Sequence, residues 1–128
     1  MKFVADQDML TITLEGWEVL LGLKRKLIIP RASITNLTWQ PEFVHRGSLF
    51  RVVGSGLPGI LYAGYFRANG KRAYLYAKKP RGMSWTADGM VTVPDALVIT
   101  TENYYYPLIV VSSTPEIGER LTDWFRST

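Results

Sequence analysis

The stretch Tyr62-Ala63-Gly64-Tyr65-Phe66-Arg67-Ala68-Asn69-Gly70-Lys71-Arg72-Ala73-Tyr74-Leu75-Tyr76-Ala77 decides the fold class. Asn-Gly is the preferred pair for a two-residue type I′ turn, because both central residues need positive φ and the turn's twist matches that of the strands it joins. The turn fixes the register. Ala68 faces Lys71, Arg67 faces Arg72, Phe66 faces Ala73, Tyr65 faces Tyr74 and Gly64 faces Leu75. Period two puts Gly64, Phe66, Ala73 and Leu75 on one face, expected to be core, and Tyr65, Arg67, Arg72, Tyr74 and Tyr76 on the other. Arg67 opposite Arg72 is a like-charged pair, so both side chains are expected to reach into water or toward an anion.

The rest of the chain extends this β reading in both directions. Leu10, Ile12 and Leu14 alternate with threonines, as in a half-buried strand. Trp17, Leu20, Leu21 and Lys24 suit a short helix, with a strand through Val19, Leu21 and Leu23 as the alternative. Two short strands are expected around Pro30, which bends the chain between Leu27–Ile29 and Ile34–Trp39. Residues 41–49, with His45 and Arg46, read as a loop, and Phe50–Val53 as a strand. Gly54-Ser55-Gly56-Leu57-Pro58-Gly59 reads as an irregular turn needing some positive φ, so Gly54, Gly56 and Gly59 are assigned, like Asn69 and Gly70, to architecture.

Lys78–Gly89 reads as a long, mobile loop carrying Trp85. Strand signals return at Val91–Val93, Leu97–Thr101 and Tyr106–Ser112. The last segment is helical: Ser113 or Thr114 can cap it, Pro115 suits its first turn, and Ser113 with Glu116 matches a capping box. Ile117, Leu121, Trp124 and Phe125 share one face, which must pack on the sheet. With 128 residues and an apolar fraction of 47%, one mainly β domain over residues 1–128 is expected.

Composition removes several chemistries. There is no cysteine and His45 is the only histidine, so neither a thiolate nucleophile nor an imidazole-rich metal site can form. No apolar run approaches the length of a bilayer span and the first residues carry acids, so a soluble, cytoplasmic protein is expected. Gly54, Gly56 and Gly59 match the spacing of a dinucleotide-binding turn, but a strand follows them, Pro58 removes a donor and no acid stands at ribose distance. Glu15 with Glu18, and Glu116 with Glu119, are carboxylate pairs by proximity only. No catalytic residue and no cofactor is assigned.

Charge is uneven. Residues 24–81 hold twelve bases against the single acid Glu42, while both flanks are acidic. Lys24, Arg25, Lys26, Arg67, Lys71, Arg72, Lys78 and Lys79 are candidates for an anion or lipid-headgroup site, which would place the protein peripherally at a membrane. Tyrosines between bases also suit stacking on nucleic acid, a partner that ordinary sheet packing of the same residues disfavours. Trp85, Tyr104, Tyr105 and Tyr106 are candidate interface anchors.

The Leu27-to-Ile34 segment, the Gly54-to-Phe66 stretch and the run into a capped last helix together resemble a bacterial pleckstrin-homology-like domain, over about Met9 to Phe125. The resemblance implies a partly open barrel of two antiparallel sheets, capped by the C-terminal helix. It implies a binding scaffold rather than a particular activity. The expected function is therefore a non-enzymatic interaction domain that binds a protein partner or its own copies, with anionic headgroup or phosphate binding through the basic middle as the alternative.

Overall fold

A computed structural model describes residues 1–16, 26–47, 49–57, 61–68, 70–78 and 90–127. Three strands, β1 (Lys2–Ala5), β2 (Met9–Thr13) and β3 (Lys26–Pro30), form a small antiparallel sheet in that order. Six more, β4 (Ile34–Arg46), β5 (Leu49–Leu57), β6 (Leu61–Ala68), β7 (Lys71–Lys78), β8 (Met90–Thr101) and β9 (Leu108–Ser112), form a large sheet in the order β4-β8-β9-β7-β6-β5. The helix α1 (Pro115–Arg126) closes the chain. The protein is mainly β, with two sheets and one C-terminal helix.

The β6–β7 register is the one the Asn-Gly pair demands, residue for residue. The expectation of a single buried face fails. In β7 every residue from Ala73 to Ala77 is buried, so the strand has two core faces and reads as a near-continuous apolar run. Tyr74 and Tyr76, with Leu97, Ile99, Ile109 and Val111, pack against Leu10, Ile12 and Ile29 of the small sheet and Leu121 of the helix. Phe66, Ala68, Ala73, Leu75 and Val110 on the opposite face join Val91, Val93 and Ala96 of β8, with Phe43 of β4 packed against them.

The second core arises from a fold in the long β4–β8 ribbon. β9 pairs with β8 only from Ala96 to Thr100, so the ribbon's outer half, Glu42–Arg46 against Met90–Pro94, runs past the end of β9. At its bend stand Pro94 and Asp95, the latter with φ of 50°. Pairing stays one to one through this point, yet Val91 and Val93 reach the same core cluster as Ala96 and Val98 although their parity is opposite, so the ribbon as a whole turns here. Chain length then constrains the sheet. Arg46 and Leu49 end and begin the two outermost strands, and three Cα steps of about 3.8 Å allow them at most about 11 Å. A flat six-stranded sheet would hold its edges about 24 Å apart. The large sheet must therefore roll toward itself, and the outcome is the partly open arrangement expected from the sequence.

Several boundaries differ from the sequence reading. β4 continues through Pro41 to Arg46 where a loop was expected, because β4 is an edge strand and a missing N–H there breaks no ladder. Gly54 and Gly56 are not turn residues: they belong to β5, where Gly54 faces Gly64 and Gly56 faces Tyr62. Two glycines across a ladder leave no side chain at that point, a place where a close backbone approach or a bend is tolerated. Gly59 lies outside the described residues, as do Asn69 and residues 17–25. β8 is one strand rather than two, and β9 pairs in parallel with β7, so one ladder of the large sheet departs from the antiparallel pattern.

At the helix, Thr114 is the cap, accepting from the Ile117 N–H at 3.3 Å. Ser113 instead donates to the Thr114 carbonyl, so no Ser113–Glu116 box forms. Leu121 is buried, with Ile117, Trp124 and Phe125 half-buried on the same core. Two helix side chains reach backbone carbonyls of the small sheet and its first turn, and one side chain reaches back to the helix. Arg120 donates to the Phe3 carbonyl at 2.9 Å, Trp124 donates from Nε1 to the Asp6 carbonyl, and Arg31 donates to the Phe125 carbonyl while lying 5.6 Å from the Trp124 ring centroid. Arg31 thereby satisfies and neutralises the negative end of the helix.

Two glycine substitutions separate backbone cost from packing cost. Gly70 has φ of +83° with open space around it, so Gly70→Ala is expected to lower stability by about 1 kcal/mol through the backbone alone. Gly118 seats the helix on Trp39, whose Cβ and ring carbons a new Cβ would overlap. Gly118→Ala is expected to lose about 1–3 kcal/mol to overpacking, only partly offset by about 1 kcal/mol of helix propensity. Thermal melts of both variants check this; a Gly118→Ala variant more stable than wild type would contradict the helix placement.

Candidate functional site

Two groups of candidate residues, remote in sequence, meet at the tip of the β6–β7 hairpin. Arg67, Lys71 and Arg72 are all exposed there. The loop from β8 to β9 brings Tyr104, Tyr105 and Tyr106 alongside. Thr101 locks that loop at its base: its N–H donates to the Pro107 carbonyl at 3.0 Å and its hydroxyl to the Tyr106 carbonyl at 2.7 Å. Asn103, with φ of 57°, makes the turn, a conformation asparagine tolerates better than most residues.

The parity of the hairpin places Arg67 and Arg72 on the tyrosine side of the sheet, at its rim. Arg67 folds back on its own turn, Nη1 donating to the Gly70 carbonyl at 3.3 Å. Arg72 turns the other way, donating from Nε to the Tyr105 carbonyl at 2.8 Å, with its guanidinium 4.2 Å from the Tyr105 ring centroid. The like-charged pair is thus relieved by divergence. A guanidinium has five N–H donors, and the remaining ones of Arg72 have no partner among the described residues.

Behind this rim lies a packed set of tyrosine rings. Tyr106 stacks on Tyr65 at 5.8 Å and 6°, meets Tyr74 edge to face at 5.7 Å, and is approached edge-on by Tyr105 at 4.8 Å and Tyr104 at 6.3 Å. Exposure grades outward across the set: Tyr106 is 4% exposed and Tyr105 59%. Burial raises the Tyr106 phenol well above its ordinary range, helped by the neighbouring phenols and a hydrogen bond with Tyr65. Burial raises Tyr104 as well. The outer rings therefore stand on a rigid, neutral aromatic base.

Other candidates do not join this rim. Lys78 sits at the far end of β7, roughly 23 Å from Lys71 at about 3.3 Å per residue, where its N–H donates to Ser112 Oγ at 2.7 Å and its ammonium lies 5.8 Å from the Tyr76 ring. Lys26 ends a strand of the small sheet. Lys24, Arg25, Lys79 and Trp85 lie outside the described residues. Tyr74 and Tyr76, at 1% and 0% exposure, are sealed in the core and present no face for a base to stack on. Glu116 and Glu119 are exposed on the helix, and no group of three or more His, Cys, Asp or Glu among the described residues could hold a metal. No described helix is long and apolar enough to cross a membrane.

Sequence reading named both halves of the rim but did not join them. The available signal was the Arg67–Arg72 pair, which had to find partners outside the hairpin. Arg31, which closes the helix, had no local signal at all. Protein-family models, curated proteins and solved structures provide no match to the chain.

The buried phenol predicts an alkaline limit to stability. The folded state holds Tyr106 neutral above the pH at which an unfolded tyrosine, with a pKa of 10.0, ionises. Above that pH the unfolded chain binds fewer protons, so this contribution is complete below pH 10 and declines as pH rises beyond it. Melting temperature is expected to fall above pH 10, and to fall less steeply in Tyr106→Phe. Equal slopes for the two proteins would show that Tyr106 does not carry the effect.

Proposed function

We propose that the chain is a non-enzymatic interaction domain, of pleckstrin-homology-like architecture, that grips an acidic segment of a protein partner across the Arg72–Tyr105 rim. The observation that carries the reading is the Arg72–Tyr105 unit itself: an exposed guanidinium and an exposed phenol ring, fixed together and backed by packed rings. Tyrosine and arginine are, with tryptophan, the residues most enriched as anchors of protein interfaces. Tyrosine offers a large contact area with few torsions to immobilise, and the hydrogen bond from Arg72 Nε to the Tyr105 carbonyl already restrains the longer arginine side chain. Here that ordering cost is met within the free domain. The Arg72 donors that no described residue accepts from, with Arg67 and Lys71 nearby, suit carboxylates, and Tyr105 suits an apolar or aromatic neighbour of the acid.

A second reading, anionic headgroup or phosphate binding, draws support from the same three bases standing together at the tip. It has less support, since Lys78 and Lys26 stand apart from them. The fold's two sheets and capping helix accord with a binding scaffold in either case.

Selection of a random peptide library on the immobilised domain tests the proposal. Enriched peptides are expected to place Asp or Glu beside an apolar or aromatic residue. Arg72→Ala combined with Tyr105→Ala is expected to weaken them by tenfold or more while leaving the melting temperature within a degree or two, as both side chains are exposed. Enrichment that is absent, or indifferent to the double variant, would overturn the reading. Binding to anionic but not neutral vesicles, lost in the same variant and at high salt, would transfer the site to headgroups.

A further inference from the structure

The outer face of the small sheet carries the other notable surface of the molecule. Its register stacks three rows across β1, β2 and β3: Lys2–Thr13–Lys26, then Val4–Thr11–Ile28, then Met9–Pro30 with Asp6, whose N–H donates to the Met9 carbonyl at 3.0 Å. Val4, Met9 and Ile28 are 45%, 43% and 47% exposed, and make up half of the six large hydrophobics exposed among the described residues. The alternate rows, with Phe3, Leu10, Ile12, Leu27 and Ile29, are buried against the large sheet. Among the described residues, Val4, Met9 and Ile28 join neither core cluster.

The face is polarised. Lysines stand at one end, Asp6 and Asp8 at the other, and the aliphatic row lies between. We infer that this face is an interface between two copies of the chain, related by a two-fold axis along the Val4–Thr11–Ile28 row. That operation reverses strand direction, lays the aliphatic rows on one another and sets the Lys2 end of each copy over the Asp6 and Asp8 end of the other. An isologous contact needs this self-complementarity, and sheets pack face to face at about 10 Å with their strands within about 30° of alignment. An anionic membrane fits less well, because the aspartates would face the headgroups.

Size sets the strength. Three strands about 4.8 Å apart and five residues at about 3.4 Å each give a plane of roughly 14 by 17 Å. A pair built on it falls short of the roughly 1,200–2,000 Å² buried in stable complexes, so the dimer forms reversibly at high concentration. It leaves the Arg72–Tyr105 rim uncovered and does not rest on the reading of that rim.

Sedimentation equilibrium from roughly 10 μM to 1 mM, the range suited to weak dissociation constants, tests the inference. Wild type is expected to pass from monomer to dimer. Ile28→Glu is expected to weaken association at least tenfold with an unchanged melting temperature, since Ile28 is exposed, and Arg72→Ala is expected to have no effect. Lys2→Glu and Asp8→Lys are each expected to weaken self-association, and an equimolar mixture of these two chains to recover it, because each copy then supplies the charge its neighbour needs. A monomer throughout, a dimer indifferent to Ile28→Glu, or a mixture no tighter than its components would overturn the inference. Ile28-dependent binding to anionic vesicles by a chain that stays monomeric would also overturn it.

Discussion

Two residues, Gly47 and Ser48, join strands that stand at opposite edges of a six-stranded sheet. That connection is the constraint from which the remaining architecture follows. It can be met only if the sheet rolls, and rolling requires places where the chain can bend without breaking its ladders. Pro94 and Asp95 in β8 and the Gly54–Gly64 pair between β5 and β6 stand as such places, while Pro41 stands on an edge where its missing donor costs nothing. Once rolled, the sheet has an inside as well as the face it turns to the small sheet and the helix, and both must be filled with apolar side chains. β7 shows the consequence most plainly, with Tyr74 and Tyr76 toward one core and Ala73, Leu75 and Ala77 toward the other.

All four buried alanines of the two cores face the rolled interior, beside Phe66, Leu75 and several valines, while the buried tyrosines face the layer beneath the helix. Alanine can sit where a tightly curved sheet brings its own strands close, and tyrosine where two separate layers are spaced by a full side chain. The tyrosines continue past the covered part of the sheet to its rim. There the aromatic layer, still supported from behind by Tyr65, Tyr74 and Tyr106, emerges as Tyr105 with Arg72 laid on it. The surface proposed as a contact site is thus an extension of the core, and it inherits the core's rigidity.

The sequence was most legible where one local rule acted alone. Asn69-Gly70 determined a register of facing pairs, and the spacing of Ile117, Leu121, Trp124 and Phe125 determined the face of the helix. It was least legible where a distant contact reversed a local preference. Pro41 and the glycines of β5 are turn-formers by habit, yet Pro41 lies in a strand because an edge position accepts it, and Gly54 and Gly56 lie in one paired with Gly64 and Tyr62 across the ladder. The parallel pairing of β9 with β7 has no local signature, since β9 is apolar on both faces and could pair in either sense. For the same reason nothing local joins Tyr104–Tyr106 to Arg67–Arg72; the β8–β9 loop, closing beside the hairpin, brings Tyr105 onto Arg72. Of the eight bases named as candidates for an anion site, Lys71 and Lys78 stand at opposite ends of β7.

If the rolled sheet with two cores is right, β7 is the most protected strand in the molecule, flanked by β6 and β9 and buried on both faces. Native-state amide hydrogen exchange measures this directly. The Tyr74, Leu75, Tyr76 and Ala77 amides are expected to exchange only through global unfolding, with the same dependence on denaturant as the whole chain, while β1 and β3 open earlier. Exchange of the β7 amides through a smaller opening, with the small sheet still protected, would contradict the account.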